Sequence, residues 1–252
     1  MLFWRSLFFS ITILIFLSFN YKLKVLDSIK KSGIPGLIGG IFLACGYAAY
    51  VFAMYKTTVA NTNFIIQTQA IFLAVFGYMF LREKISKITF LSIALAFIGI
   101  ILMVGSSLSP GHIQGDIVAF IMPISFAVLI LIVRKYPDVD MIPLQLIAGI
   151  AATIIGYLLS SKILISNQDI FLAFIAGFFQ VGLGFILITI GARTTTSALV
   201  GIIMLTEAVL GPMWAWIFLQ EKPPFVALIG GAIVILAVIL RFINFKVEKK
   251  IN

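Results

Sequence analysis

The chain has 252 residues, 62% of them hydrophobic and 11% charged, and its mean hydropathy is +1.18. Soluble domains carry roughly 45–50% apolar and about 25% charged residues, so a soluble enzyme is excluded, and so is a nucleic-acid-binding domain despite the net charge of +9. A single cysteine, Cys45, and a single histidine, His112, rule out an intrachain disulfide and a Cys/His metal site on ligand count.

Stretches free of Asp, Glu, Lys and Arg run over 6–21, 32–55, 57–81, 88–115, 117–133, 141–161, 170–192, 194–220 (interrupted by Glu207) and 223–240. Each approaches or exceeds the ~20 apolar residues that cross a bilayer as a helix. Lipid offers the backbone no hydrogen-bond partner, and the runs are continuous rather than alternating, which favours helices over barrel strands. The fold class expected is therefore all-α and integral to the membrane: a polytopic bundle of nine transmembrane helices. Arg5 precedes the first span, but no small-residue cleavage site follows before Tyr21, so that span reads as a helix rather than a signal peptide.

Loops between spans alternate sides. One side collects Lys22, Lys24, Lys30, Lys31, Arg82, Lys84, Lys87, Arg134, Lys135, Arg193, Arg241, Lys246, Lys249 and Lys250; the other holds only Arg5, Lys56, Lys162 and Lys222. Cations concentrate on the cytoplasmic side of membrane proteins. That bias places the C-terminus in the cytoplasm and the N-terminus outside, with a bacterial inner (plasma) membrane as the expected location.

The run Phe80-Leu81-Arg82-Glu83-Lys84 ends the third span, and Phe218-Leu219-Gln220-Glu221-Lys222 ends the eighth. The offset of 138 residues also pairs Thr57-Thr58 with Thr195-Thr196, Ala60 with Ala198, Thr68 with Thr206, Ala70 with Ala208, Gly39 with Gly177 and Gly46 with Gly184. It maps the last four spans onto the first four and leaves the fifth without a mate. The unit implied has five helices, and the first unit lacks its opening member: residues 1–110 would form a truncated first repeat, and residues 111–252 the second repeat with a basic tail. An odd number of helices per unit makes successive copies enter the membrane from opposite sides. Inverted repeats of this kind recur in secondary transporters, whose binding sites lie near the midplane.

The residues also resemble a known family. TTxAN at Thr57–Asn61, TTTSA at Thr194–Ala198, LTEAV at Leu205–Val209 and the two FLxEK helix ends are similar to EamA-type carriers of the drug/metabolite transporter superfamily. The family commonly has proline after the Glu of LTEAV; Ala208 stands there, and Pro212 follows one turn later. The resemblance implies two five-helix repeats in a membrane permease, with this chain starting at what looks like the family's second helix.

Glu207 is the sharpest candidate for function. It lies near the middle of the eighth span, where an acidic residue costs roughly 3 kcal/mol on insertion scales and should face a wet interior. Its mate under the repeat is Gln69. Ile203, Gly211 and Trp214 share its helix face, and Trp214 is a candidate to line a pocket. Gln180, among Gly177, Gly182 and Gly184 in the seventh span, is a candidate cavity wall. The substrate-binding candidates are therefore Glu207, Gln69, Gln180 and Trp214, with no catalytic or metal-binding residue. Each also has an ordinary reading as an interhelical hydrogen bond or packing residue. Asn61 and Asn63 read as helix caps, Gln145 as an unremarkable interfacial amide, and Tyr47 and Tyr50 as packing aromatics. Pro123 and Pro212 read as kinks, and Glu83 and Glu221 as local ion pairs beside lysines.

No GxxxxGK[ST] run is present, so ATP does not drive the chain through a phosphate-binding loop, and the Ser106–Ser109 run is a loop rather than a nucleophile motif. The function expected is secondary transport of a small metabolite or drug-like molecule by alternating access, with no cofactor and no enzymatic activity. The partners expected are the lipid bilayer and a small-molecule substrate; protons or another coupling ion, and a homodimer, are compatible. A truncated, inactive remnant and a non-transporting membrane scaffold stand as alternatives.

Overall fold

The computed structural model describes residues 2–105, 108, 110–160, 163–220 and 224–251. The Ser106–Ser109 loop, apart from Leu108, together with Lys162, Glu221 and Lys222, lies outside the described residues. The described chain is helical: α1 (Leu2–Tyr21), α2 (Val25–Lys56), α3 (Val59–Gln67), α4 (Gln69–Leu81), α5 (Lys87–Val104), α6 (Ile113–Ala119), α7 (Ile121–Lys135), α8 (Ile142–Leu159), α9 (Asn167–Phe174), a π-helical segment (Ile175–Leu183), α10 (Gly184–Ala192), α11 (Ser197–Met204), α12 (Thr206–Leu219) and α13 (Phe225–Ile251). Adjacent pieces join into eight long apolar helices, with Lys87–Met103 as a shorter ninth. The protein is an all-helical integral membrane protein, and its many exposed leucines, isoleucines and phenylalanines are the surfaces that lipid covers.

Local chemistry sets the boundaries. Thr58, Ser86 and Ser166 are N-caps whose hydroxyls accept the N–H of Asn61 (3.1 Å), Thr89 (3.2 Å) and Asp169 (3.1 Å). In α2, Gly33 takes φ 58°, ψ −157°, which only glycine adopts readily; Pro35 then opens the membrane-spanning part, leaving 25–32 as a separate basic helix. Arg82 and Gln220 end α4 and α12 in the left-handed conformation, φ 56° and 60°.

These two residues are 138 apart, and the same interval recurs along the chain. It separates the starts of α3 and α11 (Val59, Ser197), the ends of α4 and α12 (Leu81, Leu219), the starts of α5 and α13 (Lys87, Phe225) and the ends of α1 and α8 (Tyr21, Leu159).

The chain folds as two compact units, residues 1–52 with 124–194 and residues 53–123 with 195–252. Each draws helices from both ends of the sequence. In the first unit, α1 packs against α8 and the π-helical segment. Gly149 lies against Phe9 and Ser10, and Gly156 against Phe3, so α1 and α8 run antiparallel. Gly39 and Gly40 let α2 approach Leu144 and Ile147. In the second unit, α5 packs along α13, with Gly99 against Gly230 and Val234, and Met103 against Gly230. Gly77 lies beside Ser197 and Gly201 beside Ala70, so α4 and α11 are likewise antiparallel. The core of this unit is Ala70, Ala96, Ile100, Leu205, Val234 and Ala237.

Candidate functional site

Two apolar spans of the second unit break at matching points. The span over 59–81 breaks at Thr68, between α3 and α4, and that over 197–219 at Leu205, between α11 and α12. Threonine chemistry explains both. The Thr68 hydroxyl donates back to the Ile65 carbonyl at 2.5 Å, and the Thr206 hydroxyl to the Ile203 carbonyl at 2.7 Å. Such back-bonding bends helices. At both points the backbone tightens to a three-residue turn, with Thr68 N–H reaching Ile65 O (3.0 Å) and Leu205 N–H reaching Ile202 O (3.2 Å).

A polar side chain follows each break. Gln69 opens α4, is 3% exposed, and its Nε2 has no hydrogen-bond partner; nor has Oε1 of Gln67, on the other side of the break. Buried amide atoms without partners cost about 1–3 kcal/mol each. Glu207, in the first turn of α12, has an exposed side chain. Gly211, with open space where a β-carbon would stand, and Trp214, half exposed and stacked on Phe218 at 5.6 Å, continue along α12 from it. Glu207, Gly211 and Trp214 thus form an open face with one acid and one aromatic. Pro212 lies within α12 without interrupting it, whereas the break ahead of Pro123 falls at Phe120, between α6 and α7.

Gln180 belongs to the first unit. It is exposed on the π-helical segment, where Gly177 sits directly on the backbone of Arg5 and Gly182 on Thr12. Single π-helical stretches inside α-helices occur frequently at functional sites.

Arg5 itself lies inside α1, not ahead of it. Its guanidinium is 5.2 Å from the Tyr50 ring centroid and 6.0 Å from that of Tyr47. The two tyrosines read from sequence as packing residues therefore hold a cation. Tyr47 is 3% exposed, packs edge-on against Phe9 and Phe185, and its hydroxyl has no partner.

Three polar knots tie helix ends within a unit. Asp140 accepts from Tyr21 OH (2.7 Å), the Ile142 N–H (3.0 Å) and the Arg193 guanidinium. Asp116, inside α6, accepts from Thr57 OH (2.5 Å) and the Asn61 amide (3.1 Å). The cap of α3 is thus Thr58, while the Asn61 side chain serves Asp116. Glu83 accepts the Ser197 N–H at 2.8 Å, capping the start of α11. Read from the sequence as a local ion pair or topology feature, Glu83 thus also serves a distant helix start; Glu221 lies outside the described residues. Gln145, fully buried, donates to Phe185 O (2.9 Å) and to the Thr189 hydroxyl, so it is a packing element of the first unit rather than an interfacial amide.

Comparison with known proteins decides the family. The sequence pattern of the EamA-like transporter family matches residues 1–105 and again 110–243. The chain belongs to this family. An uncharacterized transporter of Methanothermobacter thermautotrophicus is 23% identical over 208 residues, which are 75% of this chain and 58% of that protein. The chain thus matches less than two thirds of the length of that curated relative. A crystal structure with 13% sequence identity superposes with a TM-score of 0.69, covering 94% of this chain and 93% of the other, and so shares the fold. In this EamA-like chain the FLREK motif acquires a structural meaning: its Arg82 turns the chain and its Glu83 caps a helix 114 residues away.

Proposed function

We propose that this member of the EamA-like family is a secondary transporter that moves a small metabolite or drug-like molecule across the membrane by alternating access. The observation that carries the reading is the matched pair of broken helices, each followed by a polar residue, Gln69 in one and Glu207 in the other. Broken membrane helices are a recurrent way of placing polar groups at a mid-membrane binding site. Breaks also cost helix continuity in lipid, where every backbone group needs a protein partner; Thr68 and Thr206 keep that cost low. On this reading Glu207 and Trp214 contact substrate from α12, and Gln69 presents its unpartnered amide at the start of α4. Gln180 is assigned to substrate contact on the first unit. A carboxylate at this depth is stable only against water, a counter-charge or a proton, so Glu207 is also the residue through which proton coupling would act. The cation distribution along the loops supports a cytoplasmic C-terminus in a bacterial inner membrane. Residues 1–110 and 111–252 are read as two copies of one unit inserted with opposite orientation, which the recurring 138-residue interval supports.

The test is flux of a substrate identified by ligand-induced stabilisation, measured in proteoliposomes. Glu207→Ala combined with Gln69→Ala is expected to lower flux at least ~10-fold, the loss of about 1.4 kcal/mol of binding. Flux equal to that of the parent protein would remove both residues from the site.

A further inference from the structure

The segment between α1 and the membrane-spanning part of α2 is set off by two bends. Lys22 turns the chain in the left-handed conformation, φ 52°, and Gly33 turns it again at φ 58°. Lysine adopts that conformation far less readily than glycine. Between the bends, the short helix 25–32 buries Ser28 and Ser32, whose hydroxyls donate to the Val25 and Ile29 carbonyls at 2.7 Å. Lys30 and Lys31 are exposed on this helix, and Lys24 is exposed just ahead of it. The three lysines line one pocket of about 370 Å³ together with Tyr21, Asp27 and Ser28. Ligand sites commonly enclose about 300–1,000 Å³. Among the described residues, neither these lysines nor Asp27 forms an ion pair. The helix macrodipole favours Asp27 in the first turn and Lys30 and Lys31 in the last, but it does not account for Lys24, outside the helix, on the same opening. The neutral donors of the pocket are spent, Tyr21 OH on Asp140 (2.7 Å) and the Ser28 hydroxyl on its own helix. What remains to hold a ligand is a set of ammonium groups.

We propose that this pocket, at the end of α1, binds the phosphate headgroup of an anionic phospholipid. Lys24, Lys30 and Lys31 hold the phosphate, and Asp27 on the same wall weakens the grip. Ammonium groups are point charges that suit a phosphate, whereas a planar carboxylate is matched better by guanidinium, and no arginine lines the pocket. The flanking residues point to a lipid rather than a soluble phosphate compound. Phe19, Leu26 and Ile34 are largely exposed, and Leu26 shares a helix face with Lys30. A phospholipid gives its phosphate to the lysines and its acyl chains to these apolar side chains; a soluble phosphate would use only the lysines. Basic clusters immediately beside a membrane span attract anionic headgroups. The matching stretch of the repeat, residues 160–170, holds a single cation, Lys162, so the site belongs to one corner of the chain and not to the duplicated plan. It does not depend on the transporter reading above.

The full chain in neutral detergent is titrated with phosphatidylglycerol, with phosphatidylcholine of the same acyl chains, and with glycerol 3-phosphate. Bound lipid is counted by native mass spectrometry, and thermal denaturation reads the stabilisation. Phosphatidylglycerol is expected to be retained at least ~10-fold better than phosphatidylcholine and to raise the melting temperature, and glycerol 3-phosphate is expected not to displace it. Lys24→Gln, Lys30→Gln and Lys31→Gln together are expected to weaken phosphatidylglycerol retention by at least ~10-fold, since each lysine near an anionic headgroup strengthens binding about five-fold. Lys84→Gln, Lys87→Gln and Lys135→Gln remove the same charge from exposed positions elsewhere and are expected to leave retention unchanged. Asp27→Asn is expected to raise it. Equal retention of the two phospholipids overturns the proposal, and so does an equal loss in both triple variants, which would assign the effect to general surface charge. Displacement by glycerol 3-phosphate also overturns it, assigning the pocket to a soluble phosphate compound. If the pocket triple variant does not fold, Asp27→Asn decides alone: retention unchanged or lowered by it overturns the assignment.

Discussion

Gly230→Leu is expected to leave little folded protein, the largest stability loss of any single change in the second unit. Gly230 and Gly99 face one another where α5 and α13 cross. A β-carbon on Gly99 would sit 2.6 Å from the Gly230 carbonyl oxygen, and one on Gly230 would overlap Gly99 O and the Met103 side chain. The obstacles include backbone, which cannot rotate away. In lipid, where no hydrophobic drive holds helices together, close backbone approach through small residues supplies much of the association. Overpacking costs typically 1–3 kcal/mol, and here the long contact of α5 with α13 would have to separate along its length, so a loss of about 3 kcal/mol or more is expected. Thermal denaturation in detergent, alongside folded yield, checks it. Gly230→Ala should lower the melting temperature less. Gly191→Ala, at a helical position with nothing within 4 Å of the added carbon, should leave it unchanged or raise it, since alanine favours helix by about 1 kcal/mol over glycine. Equal melting temperatures for Gly230→Leu and the parent would refute the tight crossing.

The second large effect is expected at Asp140. Its carboxylate gathers the end of α1 through Tyr21, the start of α8 through Ile142 N–H, and the segment after α10 through Arg193. The Arg134 guanidinium donates to the Arg193 carbonyl at 3.1 Å, extending the same knot. Asp140→Ala removes three acceptor roles at once and leaves the Arg193 charge uncompensated. Breaking a fully buried pair costs about 3–5 kcal/mol. The Asp140 and Arg193 side chains are 19% and 29% exposed, so solvent screening reduces that, and about 2 kcal/mol is expected. Asp140→Asn keeps the cap on the Ile142 N–H and should lose less. The comparison is again thermal denaturation, repeated at high salt. Salt should narrow the gap between parent and Asp140→Asn, because it screens the charge contribution; a gap that does not change with salt would assign the knot to neutral hydrogen bonding.

The architecture was legible because lipid imposes strong rules. Charge-free stretches marked the spans, and the FLREK and FLQEK runs fixed the 138-residue interval that the helix boundaries repeat. Charge as a marker of the interface failed where the charge had found a partner. The first helix starts at Leu2, not after Arg5, and the guanidinium in its first turn lies beside two tyrosine rings. The fifth span starts at Ile113, ahead of Asp116, because Thr57 and Asn61 satisfy that carboxylate. Other features depended on distant chain. Nothing near Glu83 announces Ser197, and nothing near Tyr47 announces Arg5. The helix breaks fall between these cases. The Thr68–Thr206 identity was visible as a sign of repetition, but whether a mid-helix threonine bonds back to the carbonyl three residues earlier is decided by packing, not by a periodic signal. Of the candidate site residues, Glu207 and Trp214 lie along one face of α12, whereas Gln180 belongs to the other compact unit.

The proposal that two copies of one unit lie in opposite orientation is tested most directly at their matching corners. Single cysteines at Lys84 and at Gln220, in a Cys45→Ala background, can be labelled with a membrane-impermeant maleimide in sealed, oriented vesicles. Opposite insertion predicts that one corner reacts from outside and the other only after the vesicles are opened, with the Lys84 corner on the cytoplasmic side. Both corners reacting from the same side would contradict it.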